Sequence, residues 1–438
     1  MGTFSIGIGR LCSGLALALA LPLQAGAQAV VSGITGPSFT LETGVAHIDT
    51  PDGDSVLIWA YGDGSHPVQY PGPTLIVNEG QTVSVELSNG LPQATSIVFP
   101  GQGMVTTSGG SPGLLTAEAA PGGTVTYSFT ASHPGTYLYH SGTSPELQVE
   151  MGLLGALIVR PAGFDQNDPS KRTAYGHPAT AYDHEYLFLL SEMDALIHDL
   201  VDFGFSEYVD NTEAFPVFWF INGRNGLDTL SPDDVDWKPN QPYGALARTH
   251  PGETVLLRLI GGGRDQHAFH PHGAHSMIIA RDGRMLSTAP GAGPDLGAPD
   301  FTISPTPGGS VDALFKWDAF KLNWDIFGTP LSEFPHACVD ANADDFDDST
   351  HEYCPDHGKP IPVVLPGLQD LTFGGWYSGS PFLGQFGALP PGEGGLNLNG
   401  GLFFMWHSHN EKELINFDIF PGGMLTFVII EPPGVPIP

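Results

Sequence analysis

Apolar and polar residues alternate over short stretches of this chain, with turn residues between them. The segment Thr82-Val-Ser-Val-Glu-Leu87 alternates cleanly, and Thr74-Leu-Ile-Val77 precedes it across Asn78-Glu-Gly-Gln81. That pattern predicts strand, turn, strand. Gly123-Thr-Val-Thr-Tyr-Ser-Phe129 and Gly155-Ala-Leu-Ile-Val-Arg160 predict further strands in the same block, which spans residues 37–162. A polar, irregular linker runs from Pro161 to Thr180. A second block, residues 183–435, carries Tyr186–Leu190, Val217–Ile221, Thr254–Ile260, Ser276–Ala280 and Met424–Ile430 as predicted strands. Between Trp317 and about Asn399 the periodicity fails, which predicts a loop-rich insertion at about 317–399.

Composition sharpens this picture. Fifty-eight glycines and 40 prolines make turn signals dense, as in an all-β chain. A length of 438 residues exceeds what one core organises, so two Greek-key β-sandwich domains plus an insertion are predicted.

Residues 1–29 have the form of a secretory signal. Arg10 is their only charge, Leu15–Leu23 is apolar, and Ala25-Gly-Ala27 or Ala27-Gln-Ala29 suits cleavage. Export to the periplasm or the exterior is therefore expected, and no later segment predicts a membrane span. Without the signal, 14 basic residues stand against 47 acidic ones, a net charge of −33. Such a surface argues against nucleic acid and anionic membranes as partners. Cys338 and Cys354 remain, and in an oxidising compartment they predict a disulfide closing a short loop.

The candidate chemistry lies in histidines two residues apart. His270 and His272 form one such pair, His407 and His409 another. Alternate residues on a strand face the same way, so each pair can converge on a metal. All-nitrogen ligation suits copper(II), zinc or nickel, with copper leading on intrinsic affinity. The other reading of these pairs is a relic held by hydrogen bonds. His47, His66, His133, His177 and His250 read as structural or exposed, and His275 stands beside the pairs without joining their pattern.

Four segments, in order, resemble the copper motifs of multicopper oxidases, the superfamily of laccases and relatives of copper nitrite reductases. Pro71-Gly-Pro-Thr74, Phe220-Ile-Asn-Gly223 and Ala280-Arg-Asp-Gly283 add non-ligand landmarks, and two blocks resemble the two-domain members. The resemblance implies cupredoxin-like domains, bound copper and oxidoreductase chemistry with a small reductant or oxygen. It also carries departures. In the first motif both histidines are replaced, by Val98 and Pro100. The second, His140-Ser141-Gly142, keeps one of two. The third, His267-Ala-Phe-His270-Pro-His272, is the best preserved; the resemblance makes His267 a type 1 ligand, His270 a type 2 ligand and His272 a type 3 ligand. The fourth gives His407 and His409 as type 3 ligands, but the family's cysteine between them is Ser408. Glu413 and Asp418 replace the second type 1 histidine and the axial methionine.

A type 1 centre depends on a thiolate, so its loss is expected here, while five inner imidazoles could hold one or two copper ions. Under the family scheme His140 pairs with His409, and His272 with His407. Two-domain relatives often assemble as trimers, and in such a homo-oligomer His140 would come from a neighbouring subunit. Two readings stay open: an oxidoreductase with a reduced histidine copper site, or a non-catalytic metal-binding or structural scaffold.

The insertion holds further candidates. Asp340, Asn342 and Asp344 resemble the start of a calcium loop that departs from the EF-hand pattern at Asp345 and His351, and a solvated acidic loop is the alternative. His336, His351 and His357 could form a surface metal site. Asp183, Glu192 and Asp194 read as solvated surface.

Overall fold

A computed structural model describes residues 30–318, 320–321, 325, 336–348, 350–359, 402–431 and 434–437. The predicted signal and much of the predicted insertion lie outside the described residues.

The first sandwich packs a sheet of Ile34–Thr35, Gly72–Asn78, Leu154–Arg160 and Gly135–His140 on a sheet of Ser55–Gly62, Ser38–Asp49, Thr82–Asn89, Thr124–Thr130 and Thr106–Gly109. The alternation read from the sequence is the cause. Thr82–Asn89 turns Val83, Val85 and Leu87 into the core, where they meet Leu41, Phe99 and Tyr127. Parallel neighbours such as Leu154–Arg160 and Gly72–Asn78 are joined by crossovers between the sheets, as a Greek key requires.

The second sandwich repeats the plan. Phe218–Ile221, His184–Met193, Thr254–Gly261, Ser310–Lys316 and Ser276–Arg281 form one sheet. Ala247–Thr249, Leu425–Ile430, Leu402–Ser408 and Phe269–Pro271 form the other. Trp406 sits between them, fully buried, with ring centroids 5.1 Å from Phe315, 5.8 Å from Phe188 and 6.3 Å from Phe269. Its Nε1–H also donates to the His272 carbonyl at 3.0 Å, tying this core to the segment that carries the candidate ligands.

The two sandwiches share a third apolar cluster, in which Ile58, Tyr70, Leu138 and Leu154 meet Leu189, Phe218, Phe220 and Ile260. A buried polar seam runs beside it. Thr136 Oγ1 donates to Asp312 at 2.6 Å and accepts from Arg258 at 3.0 Å, and Arg258 donates to Glu185 at 2.9 Å. Burial alone would raise the Glu185 carboxyl, but the guanidiniums of Arg160 and Arg258 hold it down at about 2. A buried carboxylate with two such partners is costly to leave alone, so the seam pins the domains in one arrangement.

Three carboxylates read as solvated surface are not. Asp194 caps the helix Ala195–Asp202 by accepting from Leu196 N at 2.9 Å, and Asp183 accepts from Thr254 N at 2.8 Å. Glu192 is buried at the end of its strand, opposite His267. Local sequence reports polarity but not which partner a strand end will meet. Cys338 and Cys354 stand at disulfide distance, with Cα atoms 5.7 Å apart.

Truncating Trp406 would leave a void that three surrounding aromatic rings cannot close. Trp406→Ala is expected to cost about 3–5 kcal/mol of stability, read as a lower midpoint in urea unfolding at unchanged slope.

Candidate metal centre

Two strands build the site. Phe269–Pro271 pairs antiparallel with Leu402–Ser408 so that His270 lies directly opposite His407. The pairing continues past the strand ends, with His272 N donating to Met405 O at 3.2 Å and His409 N donating to Ala268 O at 2.7 Å. The intervening residues Pro271, Trp406 and Ser408 are buried, so the period of two puts the four histidines together on the opposite face. Ring centroids lie 4.8 Å apart for His270–His272 and His270–His409, and 5.0 Å for His272–His407. Nε2 of His272 is 3.0 Å from Nε2 of His407.

Proton positions follow from the partners. Nδ1–H of His407 donates to the Ser408 carbonyl at 2.6 Å, which leaves its Nε2 with a lone pair facing His272. His270 Nδ1 contacts Thr302 Oγ1 at 2.9 Å, and its ring packs edge-on to Phe301. Burial, then the charges of His409 and His407, push the His270 imidazole down to about 4. Burial lowers His407 as well. Both rings are therefore neutral at ordinary pH, the form that ligates metals. His409 is half exposed, so the cluster opens to solvent on that side. The four rings gather without three of them converging: among the described residues, groups of three donors within 4.8 Å of one another lie elsewhere.

His140 ends the strand Gly135–His140 in the first sandwich, away from the other four in sequence and sheet. Its Nδ1–H donates to the Ser141 carbonyl at 2.9 Å, the same arrangement as His407, and burial lowers its affinity for a proton. The neighbouring motif positions have been closed by packing. His140 and Val98 exchange backbone hydrogen bonds at 2.8 and 3.2 Å, and a Cβ added at Gly142 would lie 2.7 Å from Val98 Cγ1. No histidine fits at 142 while Val98 fills that space.

His267 has a different fate. It is fully buried, with Nε2 2.7 Å from Glu192 Oε2 and Nδ1 3.0 Å from Glu413 Oε2. Burial favours the neutral ring, but the hydrogen bond to Glu192 and the charges of both carboxylates outweigh it and raise the imidazole to about 9. An imidazolium held on both sides has no lone pair to offer, so His267 drops out of the open donors. Ser408 is likewise occupied, its Oγ accepting from Asn410 N at 3.2 Å, and Asp418 is exposed in a turn. Glu192 and Thr302 escaped sequence reasoning because each reaches the site from a segment distant in sequence. In the insertion, Asp340, Asn342 and Asp344 share one loop, where their side-chain oxygens accept from the backbone of residues 344–346.

Residues 63–163 match the multicopper oxidase family model. Copper resistance protein A of Pseudomonas syringae pv. tomato is 30% identical over 241 residues, half of this chain and 38% of that protein. Laccase-1 of Emericella nidulans is 31% identical over 221 residues, 45% of this chain and 34% of that protein. The matches thus span little more than a third of these curated relatives' length. The fold is that of the blue copper oxidase from Nitrosomonas europaea, at a TM-score of 0.53 and 19% identity, covering 89% of this chain and 85% of that one. The multicopper oxidase mgLAC gives the same TM-score at 18% identity, covering 92% and 87%. Matched segment, relatives and fold together support a two-domain protein of multicopper-oxidase type.

Proposed function

We propose that this protein is an exported copper-binding oxidoreductase that has lost type 1 copper and works from a reduced histidine site. The observation that carries the reading is the register that sets His270 opposite His407, with His272 and His409 alongside. The neutral rings of His270 and His407 fit a copper ion, since each offers a lone pair without competing protonation. His272 and His407, whose Nε2 atoms lie 3.0 Å apart, would hold the metal, with His270 and His409 closing on it and His140 completing the set where a neighbouring subunit supplies it. Bound copper would supply one-electron exchange with a small reductant or with oxygen.

The chain's own residues do the positioning. The Ser408 carbonyl keeps the His407 proton on Nδ1 and so keeps Nε2 open. The Trp406 indole holds the backbone of His272. Half-exposed His409 leaves a path by which a small molecule reaches the cluster directly. Direct approach is needed, because Glu192, His267 and Glu413 occupy the place of a relay centre with an ion triad that has no redox chemistry of its own. The packing of Val98 against Gly142 supports a second reading, a metal-binding scaffold without turnover, since it removes ligands the parent reaction needs.

Elemental mass spectrometry of the purified, copper-loaded protein is expected to find about one to two equivalents of copper, lost in His270→Ala/His407→Ala. Copper loss without oxidase activity in the parent would favour the scaffold; no copper in either folded protein would sink both readings. Copper-loaded protein is expected to lack the intense thiolate-to-copper absorption of a type 1 centre. Ser408→Cys alone should not restore it while Glu192 and Glu413 hold His267.

The triad also predicts a pH dependence. Folded His267 binds its proton up to about 9, whereas an unfolded histidine releases it near 6.5. The folded state therefore binds more protons between these values, and its stabilisation, fully present below about 6.5, is lost as pH rises through 9. Melting temperature followed from pH 6 to 10 should fall more steeply in the parent than in Glu413→Gln; equal slopes would exclude the triad as the cause.

A further inference from the structure

The described part of the insertion brings three metal-binding side chains together, with a fourth, Asp325, beside one of them, far from the histidine cluster in sequence. His336 Nε2 is 2.9 Å from Glu352 Oε2, and His357 Nδ1 is 2.7 Å from Glu352 Oε1 and 3.2 Å from Asp325 Oδ2. The donor atoms of His336, Glu352 and His357 all lie within 4.8 Å of one another, and the two rings are 5.0 Å apart. Both carboxylates are buried, and the two histidines are only partly exposed.

We propose that His336, Glu352, His357 and Asp325 form a structural site for a divalent ion of the zinc class. Two imidazoles and one carboxylate converge as donors for such an ion, and Asp325, 3.2 Å from His357 Nδ1, stands beside them to supply a fourth oxygen after a small shift. Ligands about 2.0–2.1 Å from a tetrahedral centre stand roughly 3.3 Å from one another. The separations of 2.7, 2.9 and 3.2 Å are close to that edge, so an ion fits after small adjustments.

The chain is built to hold this set. His336 lies two residues before Cys338, Glu352 two before Cys354 and His357 three after it, so the Cys338–Cys354 bridge staples together the segments that carry three ligands. Asp325 is held by the same segment, its Oδ2 accepting from Gly358 N at 2.9 Å and its N donating to Lys359 O at 2.9 Å. His351, expected from sequence to join His336 and His357, is exposed, and Glu352 takes its place. Two other three-donor groups offer less. Cys338 is spent in the disulfide, and in the group of His184, His250 and Glu253 the single carboxylate oxygen Oε2 already accepts from His250 N at 2.8 Å and lies 2.9 Å from His184 Nε2.

The test uses the full, disulfide-intact chain carrying His270→Ala/His407→Ala, so that zinc taken up by the other cluster is removed. Calorimetric titration with zinc chloride, checked by elemental analysis after dialysis, is expected to give about one equivalent. Adding Glu352→Gln or His357→Ala should weaken uptake by about tenfold or more, with circular dichroism unchanged. Binding undiminished in both variants, or no binding by the folded parent, would overturn the proposal. Cobalt(II) provides a reading that needs no further variant: intense four-coordinate d–d bands support the site, and the weak bands of six-coordinate cobalt refute it.

Discussion

The antiparallel pairing of Phe269–Pro271 with Leu402–Ser408 is the constraint on which the candidate centre depends. These segments lie more than a hundred residues apart, and a one-residue slip of Leu402–Ser408 would send His407 and His409 into the core and Trp406 into solvent. The burial of Trp406 among Phe188, Phe269 and Phe315 therefore selects the register. The same apolar contact that stabilises the second sandwich brings His270 and His407 face to face. Here core packing and site assembly are one event.

The triad of Glu192, His267 and Glu413 is the counterpart on the buried side of the strand pair. There the buried imidazole of His267 lies between the carboxylates of Glu192 and Glu413. Burying an imidazolium needs compensation, and two carboxylates supply it. Glu192 is itself secured by the backbone N–H groups of Arg264 and Asp265. Val98 does the equivalent in the first domain by filling the space beside Gly142. Both departures are supported by neighbouring residues, so reversing one substitution leaves the rest of each arrangement intact.

Much of the architecture was legible in the chain. Alternation in Thr82–Asn89 and apolar runs such as Thr254–Gly261 signal strands, because a residue's burial on a sheet follows its parity. The paired histidines were legible for the same reason, and so was the loss implied by Ser408. Glu192 was misread as surface, and Glu352 and Asp325 drew no notice beside the histidines they accompany. Each acts through a partner on another segment, and local pattern carries no record of such contacts.

By itself, then, the sequence determined the β architecture, the two histidine pairs and the absence of a thiolate from the fourth motif. These depend on residue type and on periodicity, which are local. Only the tertiary structure decided that His267 lies between the carboxylates of Glu192 and Glu413, that Val98 closes the space at Gly142, and that Glu352 rather than His351 joins His336 and His357. These outcomes depend on distances of about 3 Å between residues remote in the chain, where burial and charge act together.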